Sequence, residues 1–238
     1  MTSLAGSTLA IANLAIAAGA ALQAATGMGM ALLAVPLLLL LDPAFVPGPS
    51  LAAVFLLSAI VAWRERTAID PRVFTTALAG LFAGTVIGAW LLLLLAGIPA
   101  NSVFAVLILS AVLLSISGAR IPPSRAALLA GGAASGVLGT ISGVQGPPIA
   151  LVLQHEPPEQ LRALLCAFFA TASGLSLVAL SISGLFGTRQ IYLAIQLTPG
   201  VILGLTIAPS IRRRINRQRA RASVLTISSM SAVALLLS

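Results

Sequence analysis

The sequence predicts an all-α, polytopic membrane protein with two inverted-topology repeats, and three observations support this fold class. Of its 238 residues, 59% are hydrophobic and only 8% are charged, whereas soluble domains carry about 25% charged residues. Ten apolar segments follow one another, separated by turn or charge signals. Two glycine-rich breaks, at 23–30 and 142–148, lie about half a chain apart. Paired breaks of this kind point to the binding site of a transporter.

Each apolar segment is interpreted as a helix, because an irregular backbone cannot face lipid. The predicted helices are 4–24, 29–41, 50–63, 73–96, 101–118, 126–141, 148–155, 160–183, 190–210 and 222–238. A membrane-spanning helix needs roughly 20 residues. The segment at 148–155 is too short for that, which favours a hairpin that dips into the membrane and returns.

The basic residues predict the orientation. The net charge is +8, but every basic residue is an arginine and most lie between apolar segments, as in cytoplasmic loops of membrane proteins. This distribution argues against nucleic-acid binding. The loops at 64–72 and 120–125 are predicted to be cytoplasmic. The loop before the last helix is placed with them and holds Arg212, Arg213, Arg214, Arg217, Arg219 and Arg221. The chain is then a multi-pass inner-membrane protein with both termini outside, and only Arg189 departs from the pattern.

The two halves of the chain resemble each other. Gly80 and Gly84 in the fourth helix match Gly200 and Gly204 in the ninth, 120 residues later. The breaks align at nearly the same interval. We therefore predict one integrated transmembrane domain of two inverted repeats, 1–118 and 119–238, each consisting of a broken helical hairpin plus three transmembrane helices. The matching glycines are expected to pack helices closely rather than to touch substrate.

The breaks offer a site for a small anion. A short helix starts after each break, and the first N–H groups of a helix, with its dipole, attract negative charge. We expect backbone amides at 27–30 and 143–148 to recognise the charge, and the uncharged polar side chains to orient the anion. The predicted substrate-binding residues are Gln23, Thr26, Gly27, Met28, Gly29, Met30, Ser142, Gly143, Gln145, Gly146 and Pro147.

Missing residue types exclude other functions. No acidic or basic residue falls clearly inside a helix, so we expect the anion to be held without a buried cation. With one histidine, His155, one cysteine, Cys166, and no clustered acids, neither a metal nor a cofactor is expected. Intramembrane proteolysis would need a buried serine–histidine pair or two buried aspartates, so the chain is not predicted to be an enzyme. An anion channel and a non-transporting membrane scaffold remain alternatives.

Two segments resemble the signature segments of the TauE/SafE family, the sulfite exporter and toluene sulfonate uptake permeases. They are the stretch 27–37, followed by Asp42-Pro43, and the stretch 142–151. The resemblance extends over nearly the whole chain, including Arg162 and the arginine-rich loop. It implies a permease for sulfite, sulfonates or related organic acids. Met28 and Met30 stand where the family often has a denser glycine run, and they narrow that site. The partners implied are the lipid bilayer and a small anion, with a coupling ion (proton or sodium) or a homodimeric copy left open.

Overall fold

The structure, a computed structural model, describes residues 6–94 and 124–214, with 103, 106, 107, 109, 110, 112–114, 121, 122 and 226 besides. In this part of the chain there is no strand, and eight α-helices have defined bounds. They are α1 (Gly6–Thr26), α2 (Met30–Leu41), α3 (Gly48–Arg64), α4 (Pro71–Leu94), α5 (Arg125–Ser142), α6 (Gly146–Leu153), α7 (Pro158–Ile182) and α8 (Thr188–Arg214). Two 3₁₀ turns, Pro43–Phe45 and Arg66–Ala68, flank α3. The all-helical prediction is confirmed here. Most of the predicted helix at 101–118, the boundary at 118/119 and nearly all of the helix at 222–238 lie outside the described residues.

The helix boundaries follow local chemistry. Glycines at positive φ separate the helices of each broken hairpin, and proline occupies the first turn of α3, α6 and α7, where no helical hydrogen bond is lost. One boundary was wrong. Arg212, Arg213 and Arg214 belong to α8 rather than to a loop. Arginine is a good helix former, and positive charge is favourable at a helix C-terminus.

Small residues bring α4 and α5 together. A Cβ added to Gly80 or Gly84 would collide with the backbone carbonyl of Leu129 or Ala133, respectively. The contacts advance along both helices in the same direction, so α4 and α5 run parallel. The opposite face of α4 carries large exposed apolar side chains, including Phe82, which is 61% exposed. Small residues inside and large apolar residues outside are typical of helices that face lipid.

The packing of α8 on α1 repeats this arrangement. A Cβ on Gly200 would lie 2.5 Å from the carbonyl oxygen of Asn13, and one on Gly204 would lie 2.7 Å from that of Ala17. These helices also run parallel. All four matching glycines are therefore packing residues, as the sequence predicted. Helices α3 and α7 pack against each other between the two pairs.

Four of the described helices are long and apolar enough to cross a membrane: Gly6–Thr26, Pro71–Leu94, Pro158–Ile182 and Thr188–Arg212. Two shorter apolar helices, α2 and α3, accompany them. Trp63 and Trp90 lie near helix ends and are 71% and 61% exposed. Exposed tryptophans near helix ends are typical of membrane–water interfaces.

One end of the bundle collects charged residues and is here called the arginine face. Glu65, just after α3, pairs with Arg162 in the first turns of α7 and lies 3.8 Å from Arg212 near the end of α8. Arg125 starts α5, which runs parallel to α4 and so begins at the same end. At the opposite face, Gly48 at the start of α3 packs against Phe186, just before α8. The predicted grouping of three arginine-bearing regions at one end is thus reproduced for the described residues.

Candidate functional site

The first break makes α1 and α2 an antiparallel hairpin. Gly27 and Gly29 have φ of 94° and 118°, which residues with a Cβ rarely adopt. Behind the turn, Gly19 lies against the backbone of Met30, and Gly29 lies against Leu22. The tip at Gly27 approaches the arginine face, where a Cβ would lie 2.9 Å from the Cα of Arg162. The hairpin therefore reaches from the opposite face to the first turns of α7.

The second break makes the same kind of hairpin from α5 and α6, entering from the arginine face. Gly143 has a φ of 76° and ends α5. Gly139 packs against Gln145, and Gly131 packs against Val152. A Cβ on Gly143 would lie 3.2 Å from Oγ of Ser50, in the first turn of α3. Each hairpin tip thus touches the first turns of a long helix from the other half of the chain.

Thr26 and Ser142 support the two breaks in the same way. The Thr26 hydroxyl contacts the carbonyls of Leu22 and Met28 at 2.9 Å each and accepts from the Met28 N–H at 3.4 Å. The Ser142 hydroxyl donates to the Leu138 carbonyl at 2.8 Å and accepts from the Val144 N–H at 3.3 Å. Such local bonds stabilise turns. Both hydroxyls therefore satisfy backbone groups at the breaks.

The first turns of the short helices also have side-chain partners. The Met30 N–H donates to Oε1 of Gln23 at 3.3 Å, and the Ile149 N–H donates to Oγ of Ser135 at 3.2 Å. The acceptors are neutral and the distances are at the long end for N–H···O bonds. An anion is a stronger acceptor than either side chain, so an anion that reached these N–H groups would replace their present acceptors.

A small cavity lies between the two hairpins, level with the middle of α3. Its lining combines both breaks with two residues of α2 and one residue each from α3 and α7: Gln23, Met28, Gly29, Ala31, Leu32, Val54, Val144, Gln145, Gly146 and Phe169. No side chain in this lining is charged. The cavity volume is about 10 Å³, the space that one water molecule needs.

A buried glutamine from each half lies at this cavity. Gln23 is 2% exposed and its Nε2 donates to Oγ of Ser58 on α3 at 2.8 Å. Gln145 is 1% exposed and its Nε2 donates to Oγ of Ser173 on α7 at 2.8 Å and to the Phe169 carbonyl at 3.2 Å. Within the described chain, Oε1 of Gln145 is buried without a hydrogen-bond partner. An unmet polar atom is costly in an apolar interior, so this oxygen marks a place where a donor would be favourable.

The structure therefore gathers five of the predicted site residues around one cavity: Gln23, Met28, Gly29, Gln145 and Gly146. The other six lie at the breaks but outside its lining: Thr26, Gly27, Met30, Ser142, Gly143 and Pro147. Sequence reasoning did not identify Ser58 and Ser173, which hold the two glutamines. A serine at matching places in two apolar helices was the available signal.

A buried cation was also missed. The expectation that no basic residue is buried in a helix was wrong for Arg162, which lies within α7 and is 1% exposed. Its Nε donates to both carboxylate oxygens of Glu65, at 2.8 and 2.7 Å. From sequence, Arg162 was placed only at the start of a helix. Burial arises because the tip of the first hairpin packs over this turn of α7.

Broken hairpins that meet at an uncharged internal cavity, within a bundle of lipid-compatible helices, define an integral membrane protein of the transporter class. The family model described as sulfite exporter TauE/SafE matches residues 11–235 of the chain. The protein therefore belongs to the TauE/SafE sulfite exporter family, a family of membrane transporters rather than enzymes. No curated protein and no solved structure matches the chain.

Proposed function

We propose that this protein is a permease that carries small anions across the membrane by alternating access, with its binding site at the cavity between the two breaks. The proposed substrates are sulfite, organosulfonates and related small acids, in line with the family's description. The observation that carries the proposal is the convergence of Gln23 and Gln145, one from each hairpin, on a single uncharged cavity.

Alternating access follows from the proposal that the two halves are inverted repeats. The pair α1–α8 and the pair α5–α4 use the same glycine contacts, and the two hairpins approach from opposite ends of the bundle. Glutamine–serine contacts join each break to the third helix of its own half. Two related halves around a central site can exchange their arrangements, which opens the site to one side and then to the other.

The cavity volume favours a carrier over a channel. A cavity of about 10 Å³ admits about one water molecule, and a sulfur oxyanion, with three oxygens around its sulfur, is larger than that. The described arrangement then corresponds to a closed state. Binding requires the hairpins to separate, so transport is coupled to a conformational change.

Recognition of an anion would use the donors already at the cavity. The two glutamine Nε2 groups point to serine hydroxyls, which can turn toward a ligand. The N–H groups of Met30 and Ile149 lie in the first turns of the two short helices, outside the cavity lining, and would exchange their neutral acceptors for an anion once the hairpins separate. Oε1 of Gln145 would accept a hydrogen bond from a hydroxyl of the substrate or from its hydration shell.

The test is Gln145→Glu, which keeps the shape of the side chain and adds a carboxylate. Purified protein is reconstituted in liposomes, and uptake of radiolabelled methanesulfonate is measured between pH 5 and 8, because a sulfonate stays fully ionised over this range. We expect uptake to fall at least about tenfold at pH 8, since an ionised carboxylate repels the anion at short range.

Gln154→Glu is the matched control, because Gln154 ends α6 away from the cavity lining. It should leave uptake and its pH profile unchanged. Normal uptake by Gln145→Glu at pH 8 would place the site elsewhere. Unitary currents in planar bilayers would show instead that the protein is a channel.

A further inference from the structure

The Arg162–Glu65 pair occupies an unusual place for two charges. Arg162 is 1% exposed and Glu65 is 18% exposed. A buried ion pair contributes little net stability, since desolvation offsets its attraction. Ionisable groups inside a membrane bundle more often belong to a functional pathway. The pair lies beside Gly27, at the tip of the first hairpin, and the next two residues of this tip, Met28 and Gly29, line the cavity.

Arg162 retains capacity for another acceptor. Its Nε is bound to both oxygens of Glu65, whereas its Nη2 lies 2.6 Å from Oε1 without hydrogen-bond geometry. Within the described chain this buried Nη2 has no hydrogen-bond partner. A guanidinium binds oxyanions through two parallel N–H groups. Nη2 is thus ion-paired with this carboxylate but poorly aligned with it, so an oxyanion that aligns with two N–H groups at once would be a better acceptor.

Glu65 has a second cation within reach. Nη1 of Arg212 lies 3.8 Å from its Oε1, and the Arg212 side chain is 51% exposed. The carboxylate can therefore move from Arg162 to Arg212 and remain paired. Removing one partner of a buried pair is otherwise strongly unfavourable. Because Arg212 can become the new partner of Glu65, the carboxylate does not have to be left unpaired when it leaves Arg162.

The corresponding place at the other hairpin has no cation. Gly143 meets Ser50, which is buried and whose hydroxyl donates to the Pro47 carbonyl. Among the described residues, the two hairpin tips therefore differ in charge, although the hairpins are alike. In this part of the chain, an anion would meet a buried guanidinium only at the arginine face.

We propose that Arg162 binds the transported anion at the arginine face, and that Glu65 occupies this guanidinium until the anion displaces it onto Arg212. This inference rests on the proposed transport function and adds the cationic residue that its uncharged cavity lacks. Glu65 then competes with the substrate anion for the guanidinium of Arg162. No bond is made or broken; one carboxylate and one substrate anion exchange places.

The test measures methanesulfonate binding to the purified full-length protein by thermal shift, with gluconate at equal ionic strength as the reference salt. Glu65→Gln removes the carboxylate that competes with the anion for Arg162. We expect a lower Tm in gluconate, because Arg162 is left without an anion, and recovery of Tm as methanesulfonate is added. The apparent affinity should rise at least about tenfold over the native protein, since the fraction of the site that is free to bind increases.

Arg212→Gln should act in the opposite direction, weakening apparent affinity at least about threefold because Glu65 loses its second partner. This residue is half exposed, so its substitution should not compromise folding. Glu159→Gln, an exposed carboxylate in the first turn of α7, is the control and should match the native protein. Unchanged or weaker binding by folded Glu65→Gln would overturn the inference. Should that variant not fold, an unchanged affinity in Arg212→Gln would overturn it.

Measurements of transport and of binding together distinguish the proposed transport function from the proposed role of Arg162. Methanesulfonate uptake by the native protein, with no affinity change in either variant, would refute the role of Arg162 and leave the transport function standing. Tighter binding by Glu65→Gln without uptake by any form would refute transport and leave the anion site at Arg162 standing.

Discussion

The side chain of Asn13 in α1 forms hydrogen bonds with the backbone of α8 at Gln196 and Gly200. Its Oδ1 accepts from the Gly200 N–H at 2.8 Å, and its Nδ2 donates to the Gln196 carbonyl at 2.9 Å. Pro199 precedes Gly200 inside α8, and proline weakens a helical hydrogen-bond ladder. The side chain of one helix thus supplies hydrogen bonds to another at the point where the two backbones are closest.

We predict that Asn13→Leu lowers the free energy of unfolding by about 2–3 kcal/mol, because it removes two partly buried hydrogen bonds to the backbone of α8. The measurement is thermal unfolding in detergent micelles. Ser181→Ala is the control, since the Ser181 hydroxyl bonds only within its own exposed turn. Equal Tm values for the two variants would mean that the Asn13 contacts contribute nothing.

Backbone contact at Gly84 yields a second prediction. Gly84→Val should prevent α4 from seating on α5, because the new Cβ would overlap the Ala133 carbonyl and no rotamer relieves a clash with backbone. The cost should exceed the roughly 1–3 kcal/mol typical of overpacked cores. Size-exclusion chromatography and Tm report the loss of a single folded species.

Gly187→Ala is the matched control for Gly84→Val. A Cβ at Gly187 would meet only Oε1 of Gln190, at 3.7 Å, an ordinary contact. This variant should elute and melt like the native protein. A folded, stable Gly84→Val would contradict the close packing of α4 on α5.

The all-helical class was predictable because helices in lipid are long and apolar, and because arginines cluster near the helix ends. The breaks were predictable because Gly27, Gly29 and Gly143 adopt a backbone that other residues avoid. The burial of Arg162 was not, since it depends on a hairpin tip packing from the other half of the chain. Met28 lies at the cavity, whereas Met30 packs against Gly19. This difference between the two methionines also depends on tertiary contacts, which no sequence pattern expresses.

These two methionines give a matched pair of variants. Met28 lines the cavity, so Met28→Ala should enlarge it and improve uptake of bulky sulfonates, such as toluenesulfonate, relative to methanesulfonate. Met30 is 1% exposed and packs outside the lining. Met30→Ala should instead cost about 2–5 kcal/mol of stability and leave the selectivity ratio unchanged. Competition uptake assays measure the ratio, and a selectivity change in Met30→Ala alone would place the first break differently around the substrate.

Arg125 and Arg189 test the orientation of the bundle. Both are exposed, Arg125 at the arginine face and Arg189 in the first turn of α8 at the opposite face. Because positive charge is retained in the cytoplasm, we predict that Arg125→Cys reacts with a membrane-impermeant maleimide only in inverted vesicles, and that Arg189→Cys reacts only in intact spheroplasts. The native Cys166 is fully buried, so the parent protein should give little background. The reverse labelling pattern would place the arginine face outside, and the Arg162 site would then be the external end of the path.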